Sequence, residues 1–357
     1  MKTLDIAGYR LLNQHIAEQT FAEPGQVVRW LGAMQAQDFG GAKWSVGLRL
    51  KEATDSGIEG AIGRREIIRT WPMRGTLHFV APTDVRWMLA LLTPRIIAGT
   101  GQRQKALELD AKIFARCGKV FEKALRGGRQ ISREDMHGLL EAAGITTSGQ
   151  RGYHILWRLS QEGLLCFAGR EGKQHTFALL EEWVPATKSL ERDEALANLA
   201  KRYFTSHGPA TLQDFIWWSG LKAADAKAGL DAVASQLSTE KVDGRIYWMP
   251  QSMPTASDVG PVVHLLPGFD EYMLGYKDRG AALDPKHAQK ICPGSNGVFA
   301  PTVVIDGQVA GTWKRTIKKG AVVIETSPFK KFSSVQQRAI AAAAERYKRF
   351  HNGETAE

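Results

Sequence analysis

Apolar positions along the chain follow one order three times: helix-period stripes, then a short pair of strand-like runs around a glycine. In residues 4–18 the positions Leu4, Leu11, Leu12 and Ile16 recur near helical spacing. Pro24 opens a second helix with Val27, Val28, Leu31 and Met34 on its inner face, and Gly40-Gly41 is expected to stop it. A third helix is expected around residues 58–63, and the β-rich runs 67–71 and 73–80 predict a hairpin. The second round is better punctuated. Ser132-Arg133-Glu134-Asp135 reads as a capping box, Met136, Leu139, Leu140 and Ala143 form one stripe, and Gly144 ends the helix. Ser148 is expected to cap the next helix, with Ile155, Leu156 and Leu159 inside and Gln150, Arg151, His154 and Arg158 outside. Gly163 ends that helix, and residues 164–167 and 175–180 flank a Gly169-Arg170-Glu171-Gly172 turn as a wing. In the third round a helix over 194–206 precedes Thr211, which caps a helix over 212–218. Gly220 turns the chain into a helix over 222–237, and residues 242–246 make a tight hairpin around Asp243-Gly244.

The last quarter changes character. Residues 262–266 read as a strand, 303–313 as a hairpin with Asp306-Gly307 at its tip, 321–325 as a further strand, and 334–350 as an amphipathic helix. The Pro- and Ser-rich stretch 249–261 reads as a linker. The expected fold is α+β, with three tandem winged helices over 1–128, 129–188 and 189–252. A β-rich C-terminal domain with a terminal helix follows over 253–357, the whole C-shaped around a basic concave cleft.

Composition narrows the functional classes. The 357 residues are 43% hydrophobic and 24% charged, which excludes wholesale disorder, and no apolar run is long enough for a membrane span. The first five residues lack the apolar core of a secretory signal, and Cys117, Cys166 and Cys292 are widely spaced, so a cytoplasmic, reduced protein is expected. Forty-seven Lys and Arg against 37 Asp and Glu leave a formal charge of +10, which points towards a polyanionic partner. Gly99-Thr100-Gly101-Gln102 is too short for a phosphate loop and lacks its lysine, and Pro293-Gly294-Ser295-Asn296-Gly297 misses the nucleophile-elbow pattern at its first residue. The nine histidines never fall four apart, so neither a helical metal pair nor any cofactor is expected. A basic chain of helix-turn-helix modules suits duplex DNA. A non-catalytic DNA-binding or regulatory protein stands as the alternative to an enzyme.

More specific blocks favour the enzyme. Met34-Gln35-Ala36-Gln37-Asp38, Arg69-Thr70-Trp71-Pro72-Met73-Arg74-Gly75-Thr76-Leu77-His78 and the run 265–279 around Phe269-Asp270-Glu271-Tyr272-Met273-Leu274-Gly275 resemble the AlkZ-like family of winged-helix DNA glycosylases. Residues 296–303 extend the likeness, which spans about 5–345. The resemblance implies a metal-independent, monofunctional DNA glycosylase. It would remove purines alkylated on a ring nitrogen, interstrand crosslinks among them, as a monomer associated with the nucleoid. It also implies that the Gln-x-Gln pair, Gln35 and Gln37, is catalytic.

Chemistry makes that pair sensible. N-alkylation leaves the base cationic, so it departs neutral and needs no proton. The enzyme must hold a water opposite C1′, and a glutamine carbonyl can accept the water's hydrogen while its amide is anchored elsewhere. Positions two apart on a continuous α-helix point about 200° apart. Both glutamines can serve one site only if the helix ends or unwinds near Met34 to Asp38. Asp38 reads either as a supporting carboxylate or as a helix-end charge. His78 and Arg74 share a strand face, His78 as a supporting group and Arg74 as a DNA contact. Arg151, Arg158, Lys314, Arg315, Lys318 and Lys319 are the remaining candidate DNA contacts. Residues 265–279 are expected to fold back on the first winged helix and to place Asp270 or Arg279 behind the glutamines.

Overall fold

The computed structural model describes residues 4–187, 189–252, 262–318 and 321–353. The chain forms two compact units: residues 59–195, and residues 1–58 together with 196–357.

In the unit 59–195 the strands Thr76–Val80, Ile68–Met73, Leu165–Glu171, Gln174–Leu179 and Ile131–Ser132 lie side by side, each antiparallel to its neighbour. Helices Ala111–Leu125, Arg133–Ala142 and Arg151–Gln161 cover this sheet, burying Phe121, Leu125, Met136, Leu140, Ile155 and Phe177 in one apolar cluster. Ser132 caps its helix as its type predicts, accepting the Asp135 N–H at 3.1 Å. The next helix departs from expectation. Its cap is Gln150, held left-handed at φ 75° with no side-chain capping bond, while the Ser148 carbonyl accepts the Arg151 N–H and the Ser148 hydroxyl lies 3.4 Å from that of Thr146. Helices Val85–Ala98 and Gly101–Ala106, joined at Gly99-Thr100, precede Ala111–Leu125. The helix Asp55–Gly63 runs across the boundary between the units in the chain.

The other unit holds the helices Ile6–Asn13, Pro24–Leu31 and Phe39–Gly47, then Leu212–Ser219 and Ala223–Val233 with the hairpin Leu237–Val242 and Arg245–Pro250. Its four-stranded sheet runs Ala321–Pro328, Gln308–Lys318, Thr302–Ile305, Val263–Leu266, and the helix Ser334–Asn352 closes the chain. Among the described residues three hairpins turn on two residues that are both at positive φ: Arg74-Gly75 (53° and 72°), Asp243-Gly244 (47° and 78°) and Asp306-Gly307 (48° and 79°). That geometry matches the strand twist and favours a glycine second. Of the expected linker, Met249 and Pro250 instead end a strand, and residues 253–261 lie outside the described residues. No helix among the described residues is long and apolar enough to cross a membrane.

The helix from Pro24 stops earlier than its apolar stripe predicts. It ends at Leu31, Gly32 caps it at φ 80°, and residues 33–35 are extended. Gly40 and Gly41 are not its stop but lie inside the next helix. The reason is close approach: a Cβ on Gly41 would sit 2.5 Å from an Asp38 carboxylate oxygen, and one on Gly40 would sit 2.8 Å from the Arg315 guanidinium. The glycines let Asp38 and Arg315 close over the start of that helix.

Candidate active site

Because the chain is extended from Ala33, Gln35 and Gln37 point the same way. Gln35 Nε2 donates to Gln37 Oε1 at 2.6 Å. Gln35 is only 9% exposed, whereas Gln37 is open to solvent. Asp38 then caps Phe39–Gly47, its Oδ1 accepting the Gly41 N–H at 3.1 Å, and stands 3.9 Å from Arg315 Nη2. Asp38 is thus a helix-end residue and also the next side chain after the pair.

Residues 265–279 pack behind this segment, within the same unit, but the acid that reaches it is Glu271. Its Oε1 accepts the backbone N–H of Gln35 at 3.1 Å across 236 residues of sequence. Its Oε2 accepts the Trp218 indole N–H at 2.9 Å and lies 3.4 Å from His207 Nε2. Burial lowers the His207 pKa, against the opposing pull of Glu271. Asp270 turns instead to Arg49, whose Nη1 and Nη2 reach its two oxygens at 2.9 Å each, with both side chains fully buried. Burial pushes the Asp270 carboxyl up, but Arg49, the Ser45 hydroxyl and the Tyr272 N–H outweigh it and hold it below its usual value. Arg49 also reaches Gln14 Oε1 at 2.9 Å, Gln14 Nε2 reaches the Tyr276 hydroxyl at 2.9 Å, and that hydroxyl donates to the His207 carbonyl at 2.7 Å. A buried polar ring therefore runs from Asp270 through Arg49, Gln14, Tyr276 and His207 to Glu271.

Arg279, the other residue expected behind the glutamines, donates to the Met273 carbonyl at 2.7 Å and lies over the rings of Phe299 and Trp217. Burial lowers its pKa. Sequence reasoning missed Glu271, Trp218 and Arg49. No local signal pointed to Glu271, whose bond to Gln35 joins residues 236 apart in sequence.

The other candidates fall elsewhere. In the unit 59–195, fully buried His78 sits with Nδ1 2.9 Å from the Thr76 carbonyl and Nε2 3.3 Å from Arg74 Nη2. A carbonyl only accepts and a guanidinium only donates, so this geometry suits the neutral Nδ1–H tautomer. Arg151 donates to the carbonyls of Thr146, Leu107 and Glu108, and Arg158 pairs with Glu162 at 2.7 Å. Lys314, exposed on its strand, pairs with Glu325 at 2.6 Å, the residue directly across the ladder. Lys318 ends that strand, and Lys319 lies outside the described residues. Among the described residues no three His, Cys, Asp or Glu side chains group as a metal site.

Comparison with known proteins follows the same residues. The model of the family described as "DNA glycosylase AlkZ-like" matches residues 28–350. A protein of Streptomyces sahachiroi described as "Interstrand DNA cross-link repair glycosylase" is 26% identical over 328 residues, 87% of this chain and 86% of its own length. The solved structure of the DNA glycosylase AlkZ of Streptomyces sahachiroi superposes with a TM-score of 0.80 at 23% identity, covering 99% of this chain and 98% of that one, and so shares its fold. With a family match that takes in both the glutamine pair and the buried acids behind it, the chain belongs to the AlkZ-like family of DNA glycosylases, hydrolytic enzymes whose substrate is DNA.

Proposed function

We propose that Gln35 and Gln37 act as one unit that holds a water for hydrolysis of the N-glycosidic bond of N-alkylated, cationic purines. The observation that carries this reading is the 2.6 Å bond from Gln35 Nε2 to Gln37 Oε1. It uses the Gln35 amide as an anchor and turns its carbonyl oxygen into the acceptor for a water's hydrogen. Neither side chain is a strong base, and none is needed. The alkylated base leaves as a neutral species, its bond to C1′ breaking as positive charge grows on the sugar, and the held water forms the new C1′–O bond from the opposite side and releases its proton to solvent. Holding reactants in place is worth many orders of magnitude when the geometry is right. Asp38, exposed and adjacent, adds a negative charge near that developing cation.

The relative described as a crosslink repair glycosylase extends the substrate class to interstrand crosslinks. DNA would be held by three winged helices in segments 1–128, 129–188 and 189–252, followed in sequence by the β-rich segment 253–357. Support comes from the element order, clearest where Leu212–Ser219 and Ala223–Val233 lead into the hairpin Leu237–Val242 and Arg245–Pro250. Of the proposed phosphate contacts Lys314 is exposed and Arg74, Arg151, Arg158 and Arg315 are half-buried, and each would exchange a partner within the protein for a phosphate. The enzyme would work as a monomer in the cytoplasm, on the nucleoid.

The test is direct. Purified protein is incubated with duplex DNA carrying N7-methylguanine, and abasic sites are counted after alkaline workup. Base release that falls at least about 100-fold in Gln35→Ala and Gln37→Ala, with DNA affinity retained, is the expected result. Tight binding with no base release by the unaltered protein would instead make it a DNA-binding protein.

A further inference from the structure

We propose that Glu271 is a positioning residue for base release: its carboxylate fixes the Gln35 peptide, and through it the direction in which the glutamine pair faces. The inference rests on the assignment of Gln35 and Gln37 as the water-holding pair.

Glu271 is 1% exposed, yet it fills no apolar niche that a neutral side chain would fill less well. Burying a carboxylate is expensive, and packing alone is served better by an apolar residue of the same volume. What the carboxylate provides is two acceptor oxygens facing opposite ways. One takes the Gln35 N–H at 3.1 Å and the other the Trp218 indole N–H at 2.9 Å. Only a group that accepts at both ends satisfies both donors.

Its own backbone is held as firmly. Asp270 caps the short helix Glu271–Leu274 by accepting the Tyr272 N–H at 2.9 Å, and Arg49 grips Asp270 with two bonds. On the other side, a Cβ at Gly275 would lie 2.6 Å from the Glu271 carbonyl and 2.7 Å from the His207 ring, so the absence of a side chain there lets helix and histidine close. The Gln35 peptide is thus tied to a buried framework rather than to a flexible loop. Rotation of that peptide would swing the Gln35 amide and break its bond to Gln37.

Glu271→Gln tests this with almost no change in volume. An amide accepts at one end and donates at the other, so one of the two N–H groups then faces a donor. In the double variant Glu271→Gln with Trp218→Phe the indole donor is gone, leaving the His207 ring as the polar neighbour of that end, and the amide oxygen can keep the Gln35 N–H. Three quantities are read for each variant: single-turnover base release at saturating enzyme, affinity for the lesion duplex, and the melting temperature. The expected result for Glu271→Gln is a loss of about 100-fold in the single-turnover rate with affinity within about threefold, and a regain of about tenfold or more in the double variant. A merely structural role predicts a lower melting temperature with an unchanged single-turnover rate for the folded protein, and that result overturns the proposal. A double variant that regains melting temperature but no rate overturns it as well. If Glu271→Gln alone fails to fold, the double variant is compared with Glu271→Leu combined with Trp218→Phe, which offers the Gln35 N–H no acceptor; a rate about 100-fold lower in the latter supports the positioning role, and equal rates overturn it. Gln35→Ala and Gln37→Ala run in parallel. If they release base normally, the glutamine assignment fails; if they are inactive while Glu271→Gln is not, only the present inference does.

Discussion

The two units solve the problem of a stable interior in opposite ways. In residues 59–195 the interior centres on an apolar cluster, from Phe121 and Leu125 through Met136 and Leu140 to Phe177, with Arg69 and Asp84 buried in the same unit. In the other unit the interior also carries charge: Arg49, Asp270 and Glu271 are all buried, tied through Gln14, Tyr276 and His207. An apolar core is non-directional and tolerates small shifts of one element against another. A buried polar ring is directional, so each member must sit where its partner requires. The unit that must hold two glutamine amides in one orientation is the one built on direction.

The largest expected effects test this contrast. Arg49→Met leaves Asp270 as an uncompensated buried charge and should destabilise the protein by about 3–5 kcal/mol. It should also slow base release per folded molecule, because Asp270 caps the helix that carries Glu271. Leu140→Ala, in the fully buried apolar cluster, should cost a comparable amount, about 2–5 kcal/mol, through lost burial and a cavity. There the base-release rate of the folded protein should stay within about threefold of the parent. Denaturant midpoints and single-turnover rates measured on both variants decide it. If Leu140→Ala slows the chemistry as much as Arg49→Met, the division between a directional and a non-directional interior is wrong.

The same contrast explains what could be read from sequence. The apolar unit was legible wherever the signal is local: Ser132 as cap, Gly144 and Gly163 at helix ends, the stripe of Met136 and Leu140, and the inward face of Ile155, Leu156 and Leu159. It failed where a rule has rivals, as at Ser148, where left-handed Gln150 opens the helix instead. Gln35 and Gln37 were legible as residue types and by resemblance, and their need for a non-helical backbone followed from spacing. The place where the helix ends was not, because Gly32, Gly40 and Gly41 are equally good stops locally and only Asp38 and Arg315, packing over the latter two, tell them apart. Glu271 was hidden for a stronger reason. Its bond to Gln35 joins residues 236 apart, and no periodicity or cap rule spans that distance.

A smaller effect is set by pH. His264, on the strand Val263–Leu266, is held at a pKa of about 4 by burial, with Arg346 and Arg49 adding to the shift. The folded protein keeps this ring neutral where the unfolded chain binds a proton at its usual 6.5. Above about pH 6.5 neither state is protonated there and the group has no effect. Below it the unfolded state gains the proton first, so stability falls as the solution is acidified, by about 1.4 kcal/mol per pH unit down to about pH 4. At pH 5 the expected loss is about 2 kcal/mol. Denaturant midpoints at pH 7 and pH 5 should differ less in His264→Phe than in the parent. An equal difference in the two proteins would show that His264 is not the group responsible.

The smallest effect bears most closely on the site. Asp38 and Ser132 perform the same local task, each accepting the N–H three residues on at 3.1 Å. One stands next to Gln37 and the other ends the edge strand of the sheet in the unit 59–195. Ser132→Ala and Asp38→Ala should therefore each cost about 1 kcal/mol, the ordinary price of a lost cap. Asp38→Ser separates capping from charge, since serine caps about as well as aspartate but carries no charge to set against Arg315 or a sugar cation. If Asp38 only ends a helix, Asp38→Ser will match the parent in both melting temperature and base release. If its carboxylate also steadies the cation at C1′, Asp38→Ser will keep the melting temperature and lose about tenfold in single-turnover rate, the loss shrinking as added salt screens an exposed charge. A loss of DNA affinity in Asp38→Ser would contradict both readings, because removing a negative charge beside DNA should strengthen binding.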